Sequence, residues 1–304
     1  MRAAQVTAMG GPEVLRVADL PDPVPGAEEL LVRVEAAGVG PWDTKMRAGG
    51  FGPQDTPYVP GAELAGTVAA LGPLAHGFRV GDRVWAYPAL KGCTAELVAV
   101  PAAAAARRPA SLSAVDAAGA VVGVMTADEA LDLLQLTTGQ TVLVLAAAGN
   151  VGAFAVQLAE ARGARVIAQA GAGDHDRLRA QGAAVAVDSR GDWAGQTRAA
   201  APGGVDALLD PLGGDLLVAA LELVRDGGRA VSLQPGHTPD APRGIALQVM
   251  GVKPDGARLA RLAERFDAGA VAAQTGPVFP LDQVADAHRA YEAHARGKVV
   301  VRVA

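Results

Sequence analysis

Residues 138–160, TGQTVLVLAAAGNVGAFAVQLAE, constrain this chain more than any other segment. A run of β-branched and aliphatic residues from Thr141 to Leu145 enters a small-residue turn, Ala147-Ala148-Gly149-Asn150-Val151-Gly152. An apolar helical pattern follows at once in Phe154, Val156, Leu158 and Ala159. The order is strand, glycine turn, helix. In such a unit Gly149 lets a pyrophosphate approach the backbone and Gly152 lets the helix pack close to the strand. The helix N-terminus offers unpaired N–H groups and the positive end of its dipole to the phosphates. Two glycines before a helix are common by chance. Their place directly after an apolar strand favours dinucleotide binding over a plain turn.

The next strand carries the second half of that pattern. Arg165 to Gly171 reads as the strand and its end, where an NAD site usually places Asp or Glu for the ribose hydroxyls. A carboxylate there repels a 2′-phosphate. No acid stands from Ala168 to Gly173, and His175, Arg177 and Arg179 follow. The pattern points to NADP(H), with His175 and Arg177 as candidate phosphate contacts. The bland alternative makes Arg177 and Arg179 the solvated face of a helix running to Gln181.

The alternation continues with strands at Ala184–Asp188 and Val205–Asp210. A helix is expected over Asp215–Val224, stopped by Gly227-Gly228, and then a strand over Arg229–Leu233. Strands alternating with helices of this length imply α/β architecture with a doubly wound parallel sheet. The ligand crevice of such a sheet lies at the carboxyl ends of its strands. That gathers Gly149–Gly152, Gly171, Pro211-Leu212-Gly213 and Leu233-Gln234. The region before residue 118 reads differently. Strand-like runs at Leu30–Ala37, Glu63–Ala70, Arg83–Tyr87 and Thr94–Val100 are punctuated by Gly and Pro, so a β-rich, turn-rich domain is expected there. The closing segment Gly297–Val303 is again a strand, and its distance from the nucleotide unit predicts a return to the first domain. The expected division is residues 1–118 with 254–304, and residues 119–253; 304 residues suit two domains.

Several segments together carry a resemblance: GGPEVLRVADLPDPVPGAEELLVRVEAAGVGPWDTKMRAG, VPGAELAGTVAALG, FRVGDRV, Met125-Thr126-Ala127, the nucleotide unit itself, LLDPLGG and GKVVVRV. The chain resembles the medium-chain dehydrogenase/reductase superfamily, in its zinc-free NADPH quinone oxidoreductase (zeta-crystallin-like) branch. The resemblance implies a GroES-like β-rich catalytic domain, a Rossmann cofactor domain, NADPH as hydride donor and a homodimer. It implies cofactor contacts from Thr126, Ala148, Gly149, Asn150, Val151, Gly152, Gly171, His175, Arg177, Leu212 and Leu233. Asp43, Lys45 and Thr126 are the polar residues it places nearest the nicotinamide, with Thr126, after a helix start, bonding the carboxamide. For Asp43 the plainer reading is a first-turn residue of a short helix at Pro41–Arg47, and for Lys45 a solvated lysine in place of an oxyanion donor. Trp42 and Tyr58 form an aromatic wall of the substrate cleft or fill core. Three positions depart from the family pattern. Asn150 replaces a turn glycine and is expected to survive because Asn tolerates positive φ. Gly92-Cys93-Thr94-Ala95-Glu96 lacks an aromatic residue, and Gly40 removes a polar side chain.

Zinc is argued against by the residues themselves. At the positions where zinc alcohol dehydrogenases carry ligands stand Gly40, Ala62 and Val122, and the chain has one cysteine, Cys93. A catalytic zinc needs three protein ligands and a structural one needs four. Hydride transfer to an alcohol-derived carbonyl, helped by Lewis-acid polarisation, is therefore disfavoured against a quinone or activated enone. Two other classes stay open: an enoyl-thioester reductase acting on a CoA-linked or carrier-bound chain, and a non-enzymatic NADPH-binding sensor or structural protein. His76, His237, His288 and His294 show no metal spacing and read as surface or satisfied polar groups. A net charge of −5 gives no basic surface for nucleic acid. No apolar segment is long enough for a bilayer, the first residues lack a secretory pattern, and one cysteine fits the cytoplasm. Ile245–Val252, uncharged and proline-free, reads as the last strand of the sheet, an unprotected edge able to pair with its own copy unless the loop Gly236–Gly244 covers it.

Overall fold

The computed structural model describes residues 1–236 and 239–304; His237 and Thr238 lie outside them. The chain divides into two compact units, residues 1–122 with 253–304, and residues 123–252.

The first unit is mostly β. Its strands are β1 (Arg2–Val6), β2 (Leu15–Asp19), β3 (Glu29–Gly38), β4 (Glu63–Leu71), β5 (Arg83–Ala86), β6 (Leu97–Pro101) and β7 (Ala105–Arg107), with helix α1 (Pro41–Arg47) between β3 and β4. β3 shows why the segment is a strand: Leu30, Val32, Val34 and Ala36 are fully buried while Arg33 between them is exposed. That is the period-two pattern of a sheet with one covered face. Helix α2 (Ala114–Leu133) runs from the first unit into the second.

The second unit strings together β8 (Thr141–Val144), α3 (Asn150–Ala161), β9 (Arg165–Ala170), α4 (His175–Ala180), β10 (Ala183–Asp188), α5 (Trp193–Ala200), β11 (Val205–Asp210), α6 (Gly214–Leu221), β12 (Val224–Ser232) and β13 (Ala246–Val249). Its six strands are parallel in the order β10-β9-β8-β11-β12-β13. The chain winds outward from β8 to β10, then returns to β11 beside β8. This is the doubly wound order whose ligand crevice opens at the carboxyl ends where the winding reverses. Val142, Leu143 and Val144 are fully buried, as expected for a parallel strand covered on both faces.

The chain then re-enters the first unit with α7 (Gly256–Asp267), β14 (Thr275–Pro280), α8 (Val284–Glu292) and β15 (Lys298–Arg302). β15 pairs antiparallel with β3, so the closing strand does return to the first unit.

Two expected elements are different in the structure. The helix expected over Asp215–Val224 ends at Leu221, and Gly227-Gly228 lie inside β12. The register between β11 and β12 shifts between Val205 and Ala207, and Gly227 takes φ 67°; the glycine pair makes a strand irregularity, where the sequence suggested a helix stop. The last strand of the sheet is only Ala246–Val249, not Ile245–Val252, and it is the sheet edge.

Candidate functional site

The glycine turn follows β8. Leu145 donates its N–H to Leu209 O at 3.0 Å, and Ala147 donates to Gln169 O at 2.9 Å, tying the turn to both neighbouring strands. The buried Gln169 side chain also accepts from Ala146 N at 3.1 Å. Gly149 caps α3 in an extended conformation, and Asn150 is the first helical residue. The left-handed residue is Ala146, with φ 46°. Asn150 is therefore accommodated because it begins a helix, not through positive φ as expected from the sequence. A Cβ on Gly152 would stand 2.4 Å from Ala146 O and 2.7 Å from Ala147 Cα, so no larger residue lets α3 lie this close to β8. Ala148, Gly149, Asn150, Val151 and Gly152 thus sit together at the start of α3, where early helical N–H groups point outward with the dipole's positive end.

The basic candidates gather at the end of β9. Gly171 follows the strand directly, and a Cβ there would meet nothing within 4 Å. A His175 ring nitrogen lies 3.2 Å from Ala170 O. The half-buried Arg177 guanidinium lies back over the glycine turn, donating to Ala148 O at 3.3 Å and to Asp174 Oδ1 at 2.9 Å. Arg179 instead pairs with exposed Asp176 at 3.0 Å. Of the two arginines, only Arg177 joins the turn. Asp174, one residue past the acid-free stretch, is already engaged by it.

At the ends of β11 and β12 stands a group that sequence reasoning missed. Asp210, fully buried, accepts from Leu212 N at 2.9 Å, from Gly213 N and from Ser232 Oγ at 2.8 Å. Gln234 Nε2 donates to Pro211 O at 2.7 Å, and Leu233 N donates to Asp210 O at 2.9 Å. This network fixes the loops carrying Leu212, half exposed, and Leu233, half buried. The signal was present in an acid ending an apolar strand just before Pro-Leu-Gly. Thr126 lies in the interior of α2, buried, and not after a helix start as expected.

In the first unit Asp43 is buried at the first turn of α1. Its carboxylate accepts from Gly40 N at 2.7 Å and from Gly61 N at 2.8 Å, clamping the start of α1 to the segment leading into β4. Burial pushes its pKa up to about 6, opposed by those two N–H groups and by Lys298. Lys298 and Glu63 form a buried ion pair, and the other Glu63 oxygen accepts from Val122 N at 2.7 Å. Arg47 is fully buried, donating to Gly10 O at 3.1 Å, meeting His288 Nδ1 at 3.2 Å and pairing with Glu292. Burial, then Arg47, lowers the His288 pKa to about 3, so it stays neutral. Sequence reasoning missed Lys298, Glu63 and Arg47. Lys45 is exposed, while Trp42 stacks on Phe51 at 4.8 Å and not on Tyr58. Tyr58 belongs to the buried core, its hydroxyl has no hydrogen-bond partner, and Lys91 Nζ lies 5.5 Å from the ring centre. Burial raises the Cys93 thiol, which keeps it protonated and unreactive. His76 and His294 are exposed, and the reading of His237 lies outside the described residues.

Comparison with known proteins identifies the family. Residues 26–130 match the alcohol dehydrogenase GroES-like domain and residues 181–301 match the zinc-binding dehydrogenase family. The chain is 32% identical to an NADPH-dependent alkenal/one oxidoreductase, chloroplastic, of Arabidopsis thaliana, over 99% of this chain and 79% of that one. It is 32% identical to a quinone oxidoreductase of Lama guanicoe, over 99% of this chain and 97% of that one. The structure of a mycobacterial protein complexed with NADPH superposes with a TM-score of 0.90 at 33% identity, covering both chains fully.

A zinc ion does not fit the residues here. The space a Gly40 side chain would enter is bordered by Lys298 Nζ, 3.4 Å from an ideal Cβ, and by Asp43 Oδ2 at 3.7 Å. A fixed ammonium beside the position repels a divalent cation, and both nearby carboxylates are already engaged. A dinucleotide does fit the turn: Gly149 is exposed at the start of α3, Gly152 lets α3 lie against β8, and the space beside Gly171 is open.

Proposed function

Because the chain belongs to the medium-chain dehydrogenase/reductase superfamily, in its quinone oxidoreductase branch, we propose that it is an NADPH-dependent, zinc-independent reductase of quinones or activated enones. The observation that carries the cofactor choice is Arg177: its guanidinium lies over the glycine turn beside a strand end without a ribose-binding acid. A 2′-phosphate brought there meets a cation; a carboxylate in the same place would have repelled it. Bound NADPH supplies the hydride, and an electron-poor quinone or enone accepts it without Lewis-acid help. The chain's own part is positional. The start of α3 holds the pyrophosphate, the Asp210 network holds the loops at the strand ends, and Thr126 orients the carboxamide. Asp43 acts as a clamp on Gly40 and Gly61, and Lys45 is read as a solvated lysine. In this reading residues 119–253 bind the cofactor and residues 1–118 with 254–304 hold the substrate.

The test compares kcat/KM for NADPH and NADH with a benzoquinone, an alkenone and an enoyl-CoA as acceptors. We expect NADPH to be preferred by tenfold or more, equivalent to about 1.4 kcal/mol, and the quinone or alkenone to be reduced. Equal use of NADH, or turnover of the enoyl-CoA alone, overturns the assignment.

The reading includes a homodimer in a reducing compartment, the cytoplasm. Its single cysteine is buried, and among the described residues no helix is long and apolar enough to cross a membrane. β13 is a short exposed edge with Val249 39% exposed and no charge in the strand. Pairing with its own copy satisfies that edge. Light scattering is expected to give a dimer for the wild type and a folded monomer for Val249→Pro. A monomeric wild type refutes the interface.

A further inference from the structure

We infer that Asn150, seated against Gly123, is a positioning residue for the nicotinamide half of the dinucleotide; this rests on the reading of the site given above. Two observations meet at this residue. The Asn150 amide lies flat on α2 at Gly123, where an added Cβ would stand 2.4 Å from Asn150 Nδ2 and 3.0 Å from Oδ1. The Oδ1 atom is buried there without a hydrogen-bond partner. A buried acceptor left unmade is costly, so a group of this kind calls for a physical account.

The chemistry narrows what that acceptor takes. A pyrophosphate offers only acceptors, so Oδ1 is not a phosphate contact. The donors of a dinucleotide are its ribose hydroxyls, its adenine amine and its carboxamide. The adenosine half belongs at the end of β9, with Gly171, His175 and Arg177. Asn150 faces α2 instead, at Gly123, and Thr126 follows three residues later on the same helix face. The donors left for it are those of the nicotinamide ribose and carboxamide. Gly123 is the condition for this arrangement, because any side chain there displaces the amide.

The experiment titrates NADPH and adenosine 2′,5′-bisphosphate, which carries the adenosine half only, into wild type, Asn150→Gly, Gly123→Ala and the double variant. The melting temperature of each ligand-free protein is recorded alongside. Asn150→Gly is expected to raise the NADPH Kd about five- to tenfold, the loss of one hydrogen bond, and to leave the bisphosphate Kd unchanged. Gly123→Ala is expected to lower both the melting temperature and NADPH affinity. Adding Asn150→Gly to it recovers the melting temperature but not the affinity. An unchanged NADPH Kd in Asn150→Gly overturns the proposal, as does an equal loss for both ligands, which makes the amide a shaper of the phosphate turn. A Gly123→Ala protein with wild-type stability removes its packing basis. A wild type that binds neither ligand refutes the cofactor reading itself.

Discussion

The glycine turn of the second unit and the polar interior of the first are built from opposite materials. The turn works with backbone: two glycines, an early-helix N–H array and a left-handed alanine, contributed by one stretch of about ten residues. The interior works with buried charge. Asp43, Glu63 and Lys298 come from α1, β4 and β15, and buried Arg47 joins α1 to the neutral His288 and the exposed Glu292 of α8. A backbone site tolerates side-chain change wherever no Cβ intrudes. A buried charge tolerates none that leaves its partner alone, since the orphaned ion cannot recover its hydration. The first region should therefore fail in binding and the second in stability.

The sharpest way to break that contrast is Lys298→Met. It leaves Glu63 buried and charged, and the expected loss in denaturant unfolding is about 3–5 kcal/mol. The double variant Lys298→Met/Glu63→Gln should recover most of it. A single variant as stable as wild type would show that the pair is solvated in solution.

Asp43 gives the next effect, and its sign is unusual for a carboxyl. Its folded pKa of about 6 stands above the ordinary 3.8, so the folded state holds the proton more tightly. The associated stabilisation is fully present below the unfolded value and is lost as pH rises through about 6. Unfolding free energy of wild type relative to Asp43→Asn should fall by up to about 3 kcal/mol across that window. Parallel pH profiles for the two proteins would mean that the two N–H donors outweigh burial and keep the carboxylate ionised.

The smallest effect belongs to the backbone-built region. Arg177→Glu should cut kcat/KM for NADPH at least tenfold, about 1.4 kcal/mol, with NADH little affected and the melting temperature nearly unchanged. The same selective loss in a His175 variant, with none at Arg177, would move the phosphate contact to the histidine.

Legibility in the sequence followed the same division. The turn, the acid-free strand end and the β-rich first region could be read directly, because each is a local pattern of residue type and spacing. Readings that needed φ or depth went wrong. Asn150 looked like a left-handed residue when the left-handed φ sits at Ala146, Gly227-Gly228 looked like a helix stop, and Thr126 looked like a residue just after a helix start when it lies deep in α2. Asp210 passed unnoticed because an aspartate at a strand end has no pattern until the N–H groups it collects are known.

By itself the sequence determined the alternation of strand and helix, the return of the closing strand, and the absence of zinc-ligand side chains at Gly40, Ala62 and Val122. Those features are carried by residue type and periodicity, which burial of apolar surface reads directly. Only the tertiary structure decided that Lys298 pairs with Glu63, that Arg47 reaches α8, and that Arg177 rather than Arg179 covers the turn. Each of the first two joins residues more than two hundred positions apart, and the third depends on which way a short helix faces. Charge alone does not choose a partner; the chain must first be packed, and packing removes the water that would otherwise have served each ion equally well.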